Sequence, residues 1–356
     1  MENSRHTTAR PGDAHPNKDK MPNLDGIRAL ACIFVILSHM PWPIYIGLIG
    51  SVGVGVFFVL SGFLMSYLYA RSDCDSNAVI KYGIARFSRI APIYWLVISV
   101  CFLLTQFSPS DFPLQIEGIT SITRHYMFSG NVGIFWSIPL EVQYYVFFLF
   151  VWWCIAQRAL LPYAMPLLIL VCALLLLTHN YWPNLSVPNK LHFFLAGSIA
   201  GLLPRKTWEG SHNRIMLCLL QVAALVVIFL PMILFDTTEA LYDSIEMAIA
   251  FAIAIYLLSI TSGWTALLFA SPLMRKIGQA SFSIYLMHVL VFYYGAHLLG
   301  LNHKDYAHLW LPLGVAGIVL PMIASHYIEM PLQQMTRKLL ESVLPGRSAR
   351  ALPHTS

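Results

Sequence analysis

Charge is the scarcest ingredient of this 356-residue chain: Asp, Glu, Lys and Arg together make up 11% of it. Soluble domains carry about 25%, and a globule this poor in charge has no wettable surface. The deficit excludes a water-soluble enzyme. It places the chain in lipid, in keeping with 57% hydrophobic residues and a mean hydropathy of +0.65. Paired cysteines are missing too. Cys32, Cys74, Cys101, Cys154, Cys172 and Cys218 are scattered, with no CxxC and no His at zinc-binding spacing. Neither a disulfide nor a metal site is expected, and nothing in the pattern points to nucleic acid. The first residues lack the apolar centre of a signal peptide, so 1–22 reads as a disordered cytosolic leader. There is no internal repeat of the kind that builds many transporters, and no second, soluble domain is expected. Residues 23–336 form the membrane body and 337–356 a cytosolic tail.

What the chain has in abundance is apolar runs. About 20 residues of helix cross a bilayer core of about 30 Å. Ten stretches qualify, at roughly 24–44, 47–69, 90–107, 134–155, 160–178, 191–203, 215–235, 245–262, 277–299 and 309–328. The expected fold is all-α: a polytopic membrane protein of about ten transmembrane helices with both termini cytoplasmic. Basic residues support that orientation, because Lys and Arg are retained on the cytoplasmic side. Under it the inner segments hold Arg5, Arg10, Lys18 and Lys20, then Arg71, Lys81, Arg86 and Arg89, then Arg158. Arg205, Lys206, Arg214, Arg275, Lys276, Arg337, Lys338, Arg347 and Arg350 complete the inner set. The outer segments hold Arg124, Lys190 and Lys304 alone, and Arg28 lies within the first span.

Ionisable groups inside a bilayer cost about 2.5–3.5 kcal/mol each on insertion scales, so they usually mark a site or a pathway. The first span, NLDGIRALACIFVILSHM, carries Arg28 and His39. Eleven residues apart, they are separated by about 16 Å along the axis and about 20° around it, and so share one face. Arg28 lies near the cytosol and His39 outward of it, just before Pro41 and Pro43 end the helix. A hydrogen-bonded packing role is the plainer reading of the histidine. The second span, with Gly53, Gly55, Ser61 and Gly62 in GVGVFFVLSGFL, reads as a close-packing face. In RFSRIAPIYW, Arg86 and Arg89 fall one turn apart at the start of the third span. That fork suits phosphate groups, either of a ligand or of lipid. Glu141 in FWSIPLEVQYY enters from the outside to a depth that matches His39, so a His39–Glu141 pair is expected. In QASFSIYLMH, Ser281, Tyr285 and His288 share a face of the ninth span, and Glu329 closes the tenth. Each of these four also suits an ordinary structural hydrogen bond.

Taken in order, NLDGIRALACIFVILSH, GVGVFFVLSGFL, RFSRIAPIYW, FWSIPLEVQYY, ASFSIYLMH and YIEMP resemble the acyltransferase 3 family of bacterial integral-membrane O-acyltransferases, from about residue 22 to about 336. The family's Arg, ten residues, His pattern is matched by Arg28 and His39, its RxxR by Arg86 and Arg89, and its Trp-Ser…Glu by Trp136, Ser137 and Glu141. Val142 and Gly55 stand where acidic residues are common, which leaves acceptor preference open. Some relatives of that family continue into an extracellular hydrolase-like domain, which is not expected here.

The resemblance implies transfer of an acyl group, most often acetyl from acetyl-CoA, to a hydroxyl of a surface glycan or its lipid-linked precursor, in the bacterial inner membrane. Arg28, Arg86 and Arg89 are then expected to hold the CoA phosphates while the pantetheine arm carries the thioester to His39. His39 would act as the base and Glu141 would orient it, with Ser137, Tyr285 or His288 donating to the oxyanion. Trp136, Ser281 and Glu329 would support the site. A transporter or flippase using His39 and Glu141 as a proton relay is the rival. A non-catalytic scaffold is the third reading, and it has no use for embedded charges.

Overall fold

Every one of the ten apolar stretches becomes a helix in the computed structural model, which describes residues 21–40, 48–157, 160–204, 214–261, 263–301 and 307–343. Most of the leader and the tail, with Pro41, Pro43, Arg158, Arg205, Lys206 and Lys304, lies outside the described residues. In chain order the helices are α1 (Pro22–Ser38), α2 (Ile49–Tyr69), α3 (Ser76–Thr105), α4 (Gly118–Tyr126), α5 (Ser137–Ala156), α6 (Leu161–Leu177) and α7 (Val187–Leu202). There follow α8 (Arg214–Phe229), α9 (Pro231–Leu234), α10 (Thr238–Asp243), α11 (Ile245–Ser259) and α12 (Gly263–Phe269). The last are α13 (Pro272–Gln279), α14 (Ser281–Leu299), α15 (Ala307–Ala324) and α16 (Met330–Ser342). No strand occurs among the described residues.

Six helical segments are by themselves long and apolar enough to cross a membrane: Ile49–Tyr69, Ser76–Thr105, Gly133–Ala156, Arg214–Leu234, Ser281–Leu299 and Trp310–Ser342. The bent pair Ile245–Ser259 and Gly263–Phe269 makes a seventh if counted as one span. The protein is thus a multi-pass membrane protein. Its outer faces agree: Leu167, Leu170 and Leu174 on α6, Leu219 and Val226 on α8, and Val315 on α15 are all exposed. A soluble protein rarely leaves apolar stripes of that length uncovered.

Two boundaries differ from expectation. The third span begins a good three turns before residue 90, because Asp75 in extended conformation caps α3 by accepting from the Ala78 amide at 2.7 Å. Arg86 and Arg89 therefore sit within the helix rather than at its start. The tail expected from residue 337 is helical through Ser342, since α16 runs on from the π-helical turn Ser325–Glu329.

Small residues set the helix spacing. On α2, Gly62 faces the Phe194 carbonyl of α7, while Gly197 and Gly201 of α7 face the Val59 and Phe63 carbonyls in return. The packing reading of Gly53 and Gly62 holds, Gly53 lying against the Ala31 carbonyl of α1. A side chain at Gly62 would collide with backbone, which cannot swing aside. Gly62→Val is expected to cost about 1–3 kcal/mol or more, the usual penalty of overpacking. A lowered thermal unfolding midpoint in detergent checks this, and an unchanged midpoint would contradict it.

Candidate active site

The helices α1, α2, α3, α5 and α14 enclose a cavity of about 320 Å³, at the small end of the range for ligand pockets. Its charged lining is Asp25 and Arg28 from α1, Arg86 and Arg89 from α3, and Glu141 from α5. Three guanidiniums thus face two carboxylates. None of the three is in an ion pair among the described residues. Arg86 donates to the Tyr69 hydroxyl at 3.3 Å and lies 5.7 Å from the ring centres of both Tyr69 and Tyr145. Its buried Nε has no hydrogen-bond partner among the described residues. Three guanidiniums against two carboxylates leave the lining with an excess of positive charge, which favours an anion, and the guanidinium fork suits phosphate. The sequence-predicted trio Arg28, Arg86 and Arg89 is brought together here.

Glu141 belongs to this inner cavity and does not pair with His39. Its Oε1 accepts from the Ser61 hydroxyl at 3.1 Å and from the Tyr145 hydroxyl at 2.5 Å. The equal depths expected for the two residues fail for a structural reason. The 3-10 turn Gly133–Trp136 already lines the outer cavity beside His39, so α5 starts inside the fold and not at its outer edge. Along α2, Gly50 abuts Ser38 while Ser61 meets Glu141, eleven residues on and about 16 Å deeper.

His39 lines a second cavity of about 430 Å³ with Ser38, Ser51, Trp136, Thr238, Tyr242 and Tyr285 among its walls. Apart from His39, the described part of this lining carries no Asp, Glu, Lys, Arg or His. Hydroxyls and aromatic faces dominate its polar part. His39 is the C-cap of α1 and is exposed. Its Nδ1 lies 2.8 Å from the Val35 carbonyl, 3.2 Å from the Ser38 hydroxyl and 3.4 Å from Nε2 of His288. A carbonyl can only accept, so Nδ1 carries the proton and Nε2 is left with its lone pair.

The two cavities share Val54 and Tyr285. The Tyr285 hydroxyl donates to the Ile134 carbonyl at 2.7 Å and accepts from the Ser137 hydroxyl at 2.8 Å. Tyr285 therefore stands on the expected route from Arg28 to His39, in the wall common to both cavities. One helix still serves both sides, since α1 presents Arg28 to the inner cavity and His39 to the outer one.

The model of a family described as an acyltransferase domain matches residues 21–326. This chain belongs to the acyltransferase 3 family. Among its relatives is a provisionally named O-acetyltransferase of Staphylococcus aureus, 24% identical over 90% of this chain and 58% of that protein. Another is the peptidoglycan O-acetyltransferase OatA of Listeria monocytogenes, 24% identical over 88% of this chain and 56% of that protein. The acyltransferase MdmB of Streptomyces mycarofaciens is 23% identical over 87% and 88%. The chain spans a little over half the length of the first two relatives. No solved structure matches it.

The remaining candidates of this acyltransferase 3 chain divide between the cavities and the scaffold. Ser137 and Ser281 line the inner cavity, and the buried Ser281 hydroxyl has no partner. Trp136 stands in the outer cavity, packed edge-on against Phe58 at 6.0 Å. His288 is wholly buried and donates Nδ1–H to the Ile284 and Tyr285 carbonyls at 3.0 and 2.9 Å. The proton it was expected to offer an oxyanion is spent on backbone. Glu329 lines neither cavity; it accepts from Ser283 at 2.7 Å and Ser325 at 2.6 Å, fastening the π-helical turn to α14.

Two partners of Glu141 were missed by sequence reasoning. Ser61 was assigned to packing, although a hydroxyl among glycines is also a donor. Tyr145 stands four residues after Glu141 and so on the same helix face, a signal the sequence did contain.

Proposed function

We propose that this protein is a membrane-bound O-acyltransferase. It moves an acyl group, acetyl by analogy with its named relatives, from acyl-CoA in the inner cavity to a glycan hydroxyl in the outer one. The acceptor is a surface glycan or its lipid-linked precursor. The chain would sit in a bacterial inner membrane with ten spans and both termini cytoplasmic, an arrangement that puts Arg28, Arg86 and Arg89 on the side where CoA is found. One observation carries the reading: a single helix delivers a guanidinium to a cavity in which guanidiniums outnumber carboxylates and an imidazole lone pair to a hydroxyl-lined cavity, and the two cavities share wall residues.

The chemistry follows from those positions. The three arginines hold the phosphates and leave the thioester arm pointing toward Tyr285. Displacement of Tyr285 from Ile134 admits the thioester to the outer cavity. There His39 Nε2 removes the proton of the acceptor hydroxyl as its oxygen attacks the thioester carbonyl. The carbon–sulfur bond breaks, and the CoA thiolate leaves with the proton from the His39 imidazolium. General-base assistance of this kind is worth about 10²–10⁴-fold. An acyl-His39 intermediate is the variant form, and ping-pong kinetics would reveal it.

Purified protein in detergent, incubated with labelled acetyl-CoA and bacterial glycan, tests the proposal. Label is expected in the glycan, with release of free CoA. Solute movement across proteoliposomes without CoA consumption would replace the enzyme by a transporter.

A further inference from the structure

Among the buried titratable groups that neither cavity gives a task, one touches the base directly. His288 on α14 is wholly buried, and its Nε2 lies 3.4 Å from His39 Nδ1, the rings meeting edge to face with centres 4.9 Å apart. Its other nitrogen faces two carbonyls, of Ile284 and Tyr285. Those carbonyls require Nδ1 of His288 to carry the proton, so Nε2 is an acceptor aimed at the Nδ1–H of His39.

We infer that His288 is the positioning residue of His39: a neutral imidazole, in place of the expected carboxylate, accepts from His39 Nδ1–H and keeps Nε2 of His39 facing the acceptor. The inference rests on the acyl-transfer reading. Val35, Ser38 and His288 share one donor, the carbonyl at 2.8 Å, the hydroxyl at 3.2 Å and the imidazole at 3.4 Å. When His39 becomes an imidazolium that donor strengthens, and a contact that is long at rest is free to tighten, as catalytic hydrogen bonds do on passing from the resting enzyme. The only N–H hydrogen on His288 points at carbonyls that cannot take a proton, so His288 relays nothing onward, and the proton removed from the acceptor sits on Nε2 of His39, from which it passes to the CoA sulfur. A third residue orients the base in the same way in hydrolytic triads, but there the orienting group is an anion. Here a neutral acceptor suits a pocket whose described lining holds no carboxylate.

The test compares His288→Leu with His288→Gln in the labelled-acetyl assay, on full-length protein in detergent. Leucine fills the space without an acceptor, whereas glutamine places an amide oxygen where the imidazole Nε2 stood. The turnover number is expected to fall about 10- to 100-fold in His288→Leu, the size of one lost hydrogen bond to a cation. The KM for acetyl-CoA should stay within about twofold of wild type, because the arginine cavity is untouched. His288→Gln should recover most of the loss. A packing role predicts the reverse order, with the buried polar amide worse than leucine in both thermal midpoint and activity, and that order overturns the inference. So does a His288→Leu protein with wild-type turnover. If wild type itself transfers no label, the acyl-transfer reading fails first; if wild type transfers and His39→Ala does not, the comparison of the two variants bears on His288 alone.

Discussion

Replacing His39 with alanine is expected to lower acyl transfer about 10²–10⁴-fold while leaving the protein folded. The magnitude is that of a lost general base. The fold should tolerate the change because His39 caps α1 from an exposed position and makes its hydrogen bonds to the neighbouring turn and to His288. Removal of the imidazole takes the one imidazole out of the described lining of the outer cavity, the rest of which is hydroxyl, apolar or aromatic, and the His288 lone pair behind it is set back from the acceptor. Label transferred per minute is the readout, normalised to monodisperse protein. Wild-type turnover in well-folded His39→Ala would remove His39 from the chemistry altogether.

The double substitution Arg86→Ala and Arg89→Ala should act on the opposite side of the site and in the opposite kinetic constant. Charge-assisted hydrogen bonds are worth about 1.5–3 kcal/mol each, so loss of two predicts a fall in kcat/KM for acyl-CoA of about 10²–10⁴-fold, most of it in KM. Transfer from a short thioester lacking the nucleotide should change little. Lysine is not an adequate replacement at residue 86, because Arg86 lies against two tyrosine rings as well as facing the cavity. If these arginines merely anchored the helix to lipid phosphate, the double variant would insert poorly and its KM would stay unchanged. Measured KM values for acyl-CoA in detergent separate the two cases.

The membrane class, the helices and most members of the basic cavity were legible in the sequence, because length and hydropathy decide helices in lipid and embedded charges are conspicuous there. Arg28, Arg86 and Arg89 come from two helices, yet all three reach one cavity as expected. The partner of His39 was not legible. Depth estimates assumed that α5 enters at the membrane edge, and the 3-10 turn Gly133–Trp136 displaces it inward. Glu141 therefore meets Ser61 and Tyr145, and His39 meets His288 across the α1–α14 contact. Helical spacing alone fixes which residues share a face of one helix. It says nothing about which face of another helix they meet. The partition at Tyr285 was hidden for the same reason, since it depends on a carbonyl, Ile134, that no side-chain pattern encodes.

In the proposed mechanism donor and acceptor are served by two abutting cavities on opposite sides of one fold. Sided proteoliposomes test this most directly, with labelled acetyl-CoA supplied to one face and a membrane-impermeant glycan to the other. Label is expected in the glycan when the two are on opposite faces, in the orientation that gives the arginine cavity access to CoA, and none is expected in His39→Ala. Transfer that requires donor and acceptor on the same face would contradict the mechanism.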